Sequence, residues 1–213
     1  MNYKKQMIKE YVERNEQEFQ VLNKVYLDSV EKMRKIDLVS INKENVKKII
    51  RPYLYRWGRM GRELGRKDWE NDIVKRIRSK HKELAEFRTK KLSGVVVRKF
   101  QSDIENCYDS LKEIIGKTAS SKVLHLICPD FFPMWDTKIS EAFKKESNVK
   151  ISNDFSGANY YEFMQRVKNL MYEYGDVLTE RDGRTKLKVL DDFLWALANR
   201  PLIIFEGIFL NKS

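Results

Sequence analysis

Residues 116–139 read GKTASSKVLHLICPDFFPMWDTKI. The first half has the pattern of an amphipathic helix of about ten residues. Pro129 and Pro133 then punctuate a loop, and Asp136 stands ahead of the next helical pattern, where its carboxylate can cap it. Lys117 and Asp136 are nineteen residues apart. If the helix runs away and the loop returns the chain, an amine and a carboxylate meet in one pocket, an arrangement suited to chemistry at a sugar carbon.

The same periodicity continues outward. Upstream, positions 100, 104, 107, 108, 111, 114 and 115 fit one helix face, and Gly116 is placed to end that helix as a left-handed C-cap. The first forty residues keep apolar side chains at three- and four-residue steps, and Asn42 is a cap for a helix through Val46, Ile49 and Ile50. Pro52 either kinks that helix or opens the next. Trp69 to Leu92 reads as one highly charged helix, and Val95-Val96-Val97 is too brief to build a sheet. Downstream, a polar, exposed loop is expected over 147–159, helices over 160–174 and 189–198, and a turn over 181–184.

Composition agrees with this pattern. Nine Gly and four Pro in 213 residues favour long helices over many turns, and the hydrophobic fraction of 42% supports a sizeable core. The expected fold is an all-α, compact multi-helix bundle in a single domain, with a possible cleft between lobes 1–100 and 101–213. Cys107 and Cys128 are too few for a disulfide framework or a thiolate metal site, so neither metal nor cofactor is expected. Residues 1–10 lack an apolar signal core and no run of about 18 apolar residues occurs, so a cytoplasmic protein without membrane contact is expected.

Net charge is +11, and from Arg34 to Lys99 the chain carries 21 Lys and Arg against 8 Asp and Glu, a local balance of +13. Such a segment is the electrostatic footprint of a polyanion-binding surface, which makes nucleic acid the leading partner class. Within it, a helix over 53–66 places Tyr55, Arg59, Arg62 and Arg66 within one stripe, opposite Trp57, Met60, Gly61 and Leu64. Arginine binds phosphates bidentately and stacks on bases, so the stripe is a candidate nucleic-acid contact.

The run Gly116-Lys117-Thr118-Ala119, the apolar helix, and Pro133-Met134-Trp135-Asp136-Thr137-Lys138-Ile139 resemble the Gly-x-Lys-x-Ala…Pro-x-x-Asp-x-x-Ile segment of the helix-hairpin-helix DNA glycosylase superfamily, especially its 8-oxoguanine glycosylase/lyases. The resemblance spans about two dozen residues. It implies that a lysine, Lys117, attacks the sugar C1′ and forms a Schiff base while Asp136 assists, and that the partner is double-stranded DNA carrying a damaged or modified base. The family's Leu-Pro-Gly-x-Gly turn is not matched: Leu111 to Gly116 contains one glycine.

Lys122 competes for the nucleophile role. With Ser120 or Ser121 as N-cap it falls in the first helical turn, where the helix dipole lowers an amine pKa. His125, on the same face, and Trp135 are weaker candidates for a base pocket. Asp191-Asp192 reads as an exposed helix start. The expected activity is base excision by a monomer, with a non-catalytic, basic helical nucleic-acid-binding protein as the alternative.

Overall fold

Asn42 and Asn45 open the first irregular helix by reciprocal capping: each backbone N–H donates to the other's side-chain oxygen at 3.0 Å. In the computed structural model, which describes residues 5–6, 16–65, 68–140, 155–180 and 182–199, that helix (α2, Lys43–Asn45) continues through two π turns, Val46–Ile50 and Tyr53–Trp57. Pro52 is the physical reason. It has no N–H to donate and its ring crowds the preceding turn, and the ladder around it widens: Arg51 N bonds to Val46 O and Gly58 N to Tyr53 O, each five residues back.

The remaining helices follow α1 (Glu16–Arg34) and α2 in chain order: α3 Gly61–Leu64, α4 Glu70–Ser79, α5 His81–Arg88, α6 Gln101–Ile115, α7 Lys117–Ile127, α8 over residues 137–140, α9 Gly157–Glu173 and α10 Lys186–Asn199. Short 3₁₀ turns occupy Leu92–Gly94 and Val97–Phe100. The fold is all-α, with no strand among the described residues.

Three expectations need correction. The helix expected over 53–66 stops at Gly58, Arg59 turns into the left-handed region at φ 54, and Met60 N bonds back to Leu54 O at 2.9 Å. The charged segment from Trp69 is two helices, broken at Lys80 (φ −107, ψ 17). The polar loop expected over 147–159 ends early: Phe155 is buried and α9 begins at Gly157, capped by the Ser156 hydroxyl. Arg66, Arg181, residues 7–15, 141–154 and the tail from 200 lie outside the described residues.

At the centre lies α7, whose Ala119, Ser120, Ser121, Val123, Leu124, His125, Leu126 and Ile127 are all buried. The helix is buried nearly all round because α1, α6 and the Tyr53–Trp57 turn pack on it. Trp135 is wholly buried, stacked on Phe163 with ring centroids 5.4 Å apart and on Tyr160 at 5.9 Å. Aromatic packing thereby anchors the segment that follows α7.

Candidate active site

The segment leading to Asp136 is tied to α7 by one hydroxyl. Ser121 Oγ accepts the Trp135 N–H at 2.9 Å and donates toward Trp135 O and Thr118 O, both at 3.0 Å. Tyr160 OH donates to Pro133 O at 2.7 Å. Asp136 therefore has a fixed place beside α7, and its Oδ1 accepts the Ile139 N–H at 2.9 Å, capping α8 as the sequence suggested.

Next to Ser121, Lys122 points into a cleft of about 570 Å³. It is lined by Arg56, Trp57, Gly58, Arg59, Met60 and Glu63, by Met134 to Ile139, and by Asp191, Asp192 and Trp195 of α10. Lys122 Nζ donates to Gly58 O at 2.9 Å and lies 5.7 Å from the Trp57 ring centroid. Burial pulls its pKa below the ordinary lysine value, while Asp136, Asp191 and Glu63 act against that shift. The cause differs from the one expected. Helix α7 starts at Lys117, so Lys122 is in its second turn, and neither Ser120 nor Ser121 caps it: their hydroxyls donate to carbonyls of the preceding turn.

Lys117 does not line the cleft. It is exposed, with Nζ 3.9 Å from the Phe155 ring centroid. The amine brought to the Asp136 cleft is Lys122, one and a half turns further along α7.

His125 also departs from expectation. It is fully buried away from the cleft lining: Nδ1 donates to Phe132 O at 2.7 Å, so Nε2 is the acceptor for Tyr26 OH at 2.9 Å. Burial pushes its pKa down to about 3, leaving a neutral imidazole that ties α1 to α7. Trp135 does line the cleft, from within the core.

The arginine stripe is dispersed by the stop at Gly58. Arg59 lines the cleft and is exposed; Tyr55 instead donates to Gly65 O at 2.9 Å with the Arg51 guanidinium 5.1 Å from its ring; Arg62 is exposed on α3, off the cleft lining. Arg56, not selected from the sequence, joins Arg59 at the cleft. Neither forms an ion pair with another described residue.

Helix α10 supplies the larger surprise. Lys188 is 1% exposed and contacts Asp192 Oδ1 and, at 3.6 Å, Asp191 Oδ2; Arg184 Nη1 reaches Asp192 Oδ2 at 3.3 Å. The Lys188 ammonium also lies 5.1 Å from the ring centroids of both Tyr26 and Trp57. Asp191 and Asp192 are buried, not an exposed helix start, because the helix opens earlier, where Thr185 Oγ1 accepts the Lys188 N–H at 3.1 Å. The available signal was spacing: 184, 188, 191 and 192 recur at three and four residues, so the two cations and two carboxylates share a face.

Among the described residues no cluster of three or more His, Cys, Asp or Glu could hold a metal ion, and no helix is long and apolar enough to cross a membrane. Cys107 and Cys128 are buried free thiols, with burial raising the pKa of both, Cys107 to about 12. Compared with known proteins, the chain matches no family model, no curated protein and no solved structure. The cleft joins a half-buried amine of weakened basicity, three carboxyl groups that act on it, aromatic walls and two exposed arginines, a set suited to covalent amine chemistry on a planar, anion-bearing substrate.

Proposed function

We propose that the protein is a DNA glycosylase that excises a modified base through attack of Lys122 on the sugar C1′. The observation that carries this reading is the Lys122 amine: half-buried, lowered in basicity by desolvation and set in the same cleft as Asp136. A lysine must be free of its proton to attack, and desolvation is a general means of freeing it. Arg56 and Arg59 hold backbone phosphates while the target base turns out of the duplex into the cleft, against Trp57 or Trp195. As the C1′–N bond breaks and the Nζ–C1′ bond forms, the Asp136 carboxylate offsets the positive charge developing on the sugar. The resulting imine is competent for strand cleavage by β-elimination. DNA is the partner and a monomer suffices, since one chain supplies every group.

Borohydride trapping on duplexes bearing abasic sites and a panel of oxidised, deaminated and alkylated bases tests the reading. Wild-type protein and Lys117→Ala give a covalent adduct, and Lys122→Met gives none. Absence of an adduct with every duplex, or an adduct that survives Lys122→Met, overturns it.

A further inference from the structure

The two adjacent aspartates of α10 stand in different circumstances. Asp192 is held by both Lys188 and Arg184, whereas Asp191 reaches Lys188 at 3.6 Å, and that ammonium lies closer to Asp192. Both are buried, and Asp191 shares the cleft lining with Lys122 and Asp136. A buried carboxyl with so small a share of a cation is costly to ionise. Burial pushes its pKa up to about 7, with Asp192 and Asp136 adding to the rise and Lys188 and Lys122 opposing it. The groups facing it are thus Lys188 and Asp192 from its own helix, Lys122 from α7 and Asp136 before α8. The phenols of Tyr26, Tyr53 and Tyr160 also feel its charge, and burial holds them protonated well beyond their usual range.

We propose that Asp191 carries the proton for the Lys122 reaction, delivering it to the departing base and recovering one from the amine. This rests on the base-excision reading and adds a second carboxyl to it. At the start Lys122 is the free amine and Asp191 the carboxylic acid. Nζ bonds to C1′, the C1′–N bond breaks, and its electron pair leaves with the base, which takes the Asp191 proton. Asp191, now a carboxylate, takes a proton from the new secondary ammonium and is an acid again. The balance is amine plus nucleoside giving amino-sugar adduct plus protonated free base. Asp136 keeps its separate charge-stabilising place, fixed by the α8 cap.

Two readouts separate this from the reading beneath it. Without DNA, acetylation of Lys122 by acetic anhydride is followed against pH by peptide mass spectrometry. Replacing Asp191 removes a charge that favours the ammonium, so in Asp191→Asn the Lys122 midpoint falls by about half a pH unit or more; an unchanged midpoint overturns the proposal. With whichever duplex gives an adduct, wild-type trapping slows above about pH 7 as Asp191 loses its proton. Asp191→Asn is slow throughout without that alkaline fall, and Asp191→Glu restores it. A wild-type pH profile in Asp191→Asn overturns proton carriage while leaving base excision intact. A midpoint shift without trapping on any duplex sinks base excision instead, and the proton coupling of the two side chains stands. Asp191→Ser repeats both measurements should the Asn variant fail to fold.

Discussion

Arg59 is the one non-glycine at the cleft with a left-handed backbone, at φ 54. For an L side chain that conformation costs roughly 1 kcal/mol, and strain of this kind persists where surrounding structure over-determines it. Here the Met60 N–H to Leu54 O bond closes the reversal that turns Arg59 toward the cleft. Glycine would relieve the strain but loosen the unfolded chain by about 0.4–1 kcal/mol, so the two effects nearly cancel. Arg59→Gly should therefore keep its stability within about 1 kcal/mol of wild type in urea denaturation while binding a fluorescent duplex more weakly at low salt. Arg62→Ala, off the cleft, should bind as wild type. Equal affinity for Arg59→Gly and wild type would remove Arg59 from the interface. The sequence pointed to Arg59, but through a continuous helix that breaks at Gly58. Its backbone conformation depends on the two π turns around Pro52, which residue periodicity does not encode.

At the scale of elements, the α6–α7 hairpin positions the chemistry. Gly116 joins the two helices at φ 79, ψ 171, a region essentially confined to glycine. Its N–H bonds back to Lys112 O and its carbonyl accepts the Ser120 N–H, so one residue ends α6 and begins α7. Gly116→Ala should cost about 1–3 kcal/mol in denaturant unfolding, although no atom lies within 4 Å of an added Cβ. Gly94→Ala, with equally open space and no positive φ, serves as the control and should be near neutral. Matching costs at the two sites would contradict this account of the hairpin. The hairpin was legible because long periodic helices meeting at a lone glycine are a local signal, as was the Asn42 cap. Two features were not legible for physical reasons. The starting residue of α7 decides which lysine faces the cleft, and Ser120 and Ser121 suit a cap in isolation yet bond backward inside the helix. The burial of Asp191 and Asp192 depends on α1, α7 and the Tyr53–Trp57 turn, all distant in sequence.

Across the whole molecule, the basic character read from 34–99 is partly spent internally: Lys43, Arg51, Arg76 and Lys91 pair with Asp68, Glu70, Glu113 and Glu180. Apart from Arg51–Glu70, whose carboxylate is buried, these exposed pairs add little stability, and the buried groups govern how stability varies with pH. His125, with a pKa near 3 against about 6.5 when unfolded, binds its proton in the unfolded state only, between those values. Its contribution is present above about pH 6.5 and is lost as pH falls. Asp191 has the opposite sign: a folded pKa near 7 against about 3.9 unfolded means the folded state holds the extra proton, and that contribution is lost as pH rises toward 7. Between about pH 4 and 6.5 the two slopes oppose, each near 1.4 kcal/mol per pH unit at full effect. Wild type should therefore depend on pH only weakly in that window through these two groups. In Asp191→Asn the His125 slope is uncovered, so lowering the pH from 6 to 5 should cost about 1.4 kcal/mol more than in wild type. Urea denaturation of both proteins at half-unit steps from pH 4.5 to 7.5 measures the difference, in which the other titrating groups cancel. Parallel curves would mean that Asp191 is already ionised in the folded protein at pH 5, and would take from the cleft the proton that its chemistry requires.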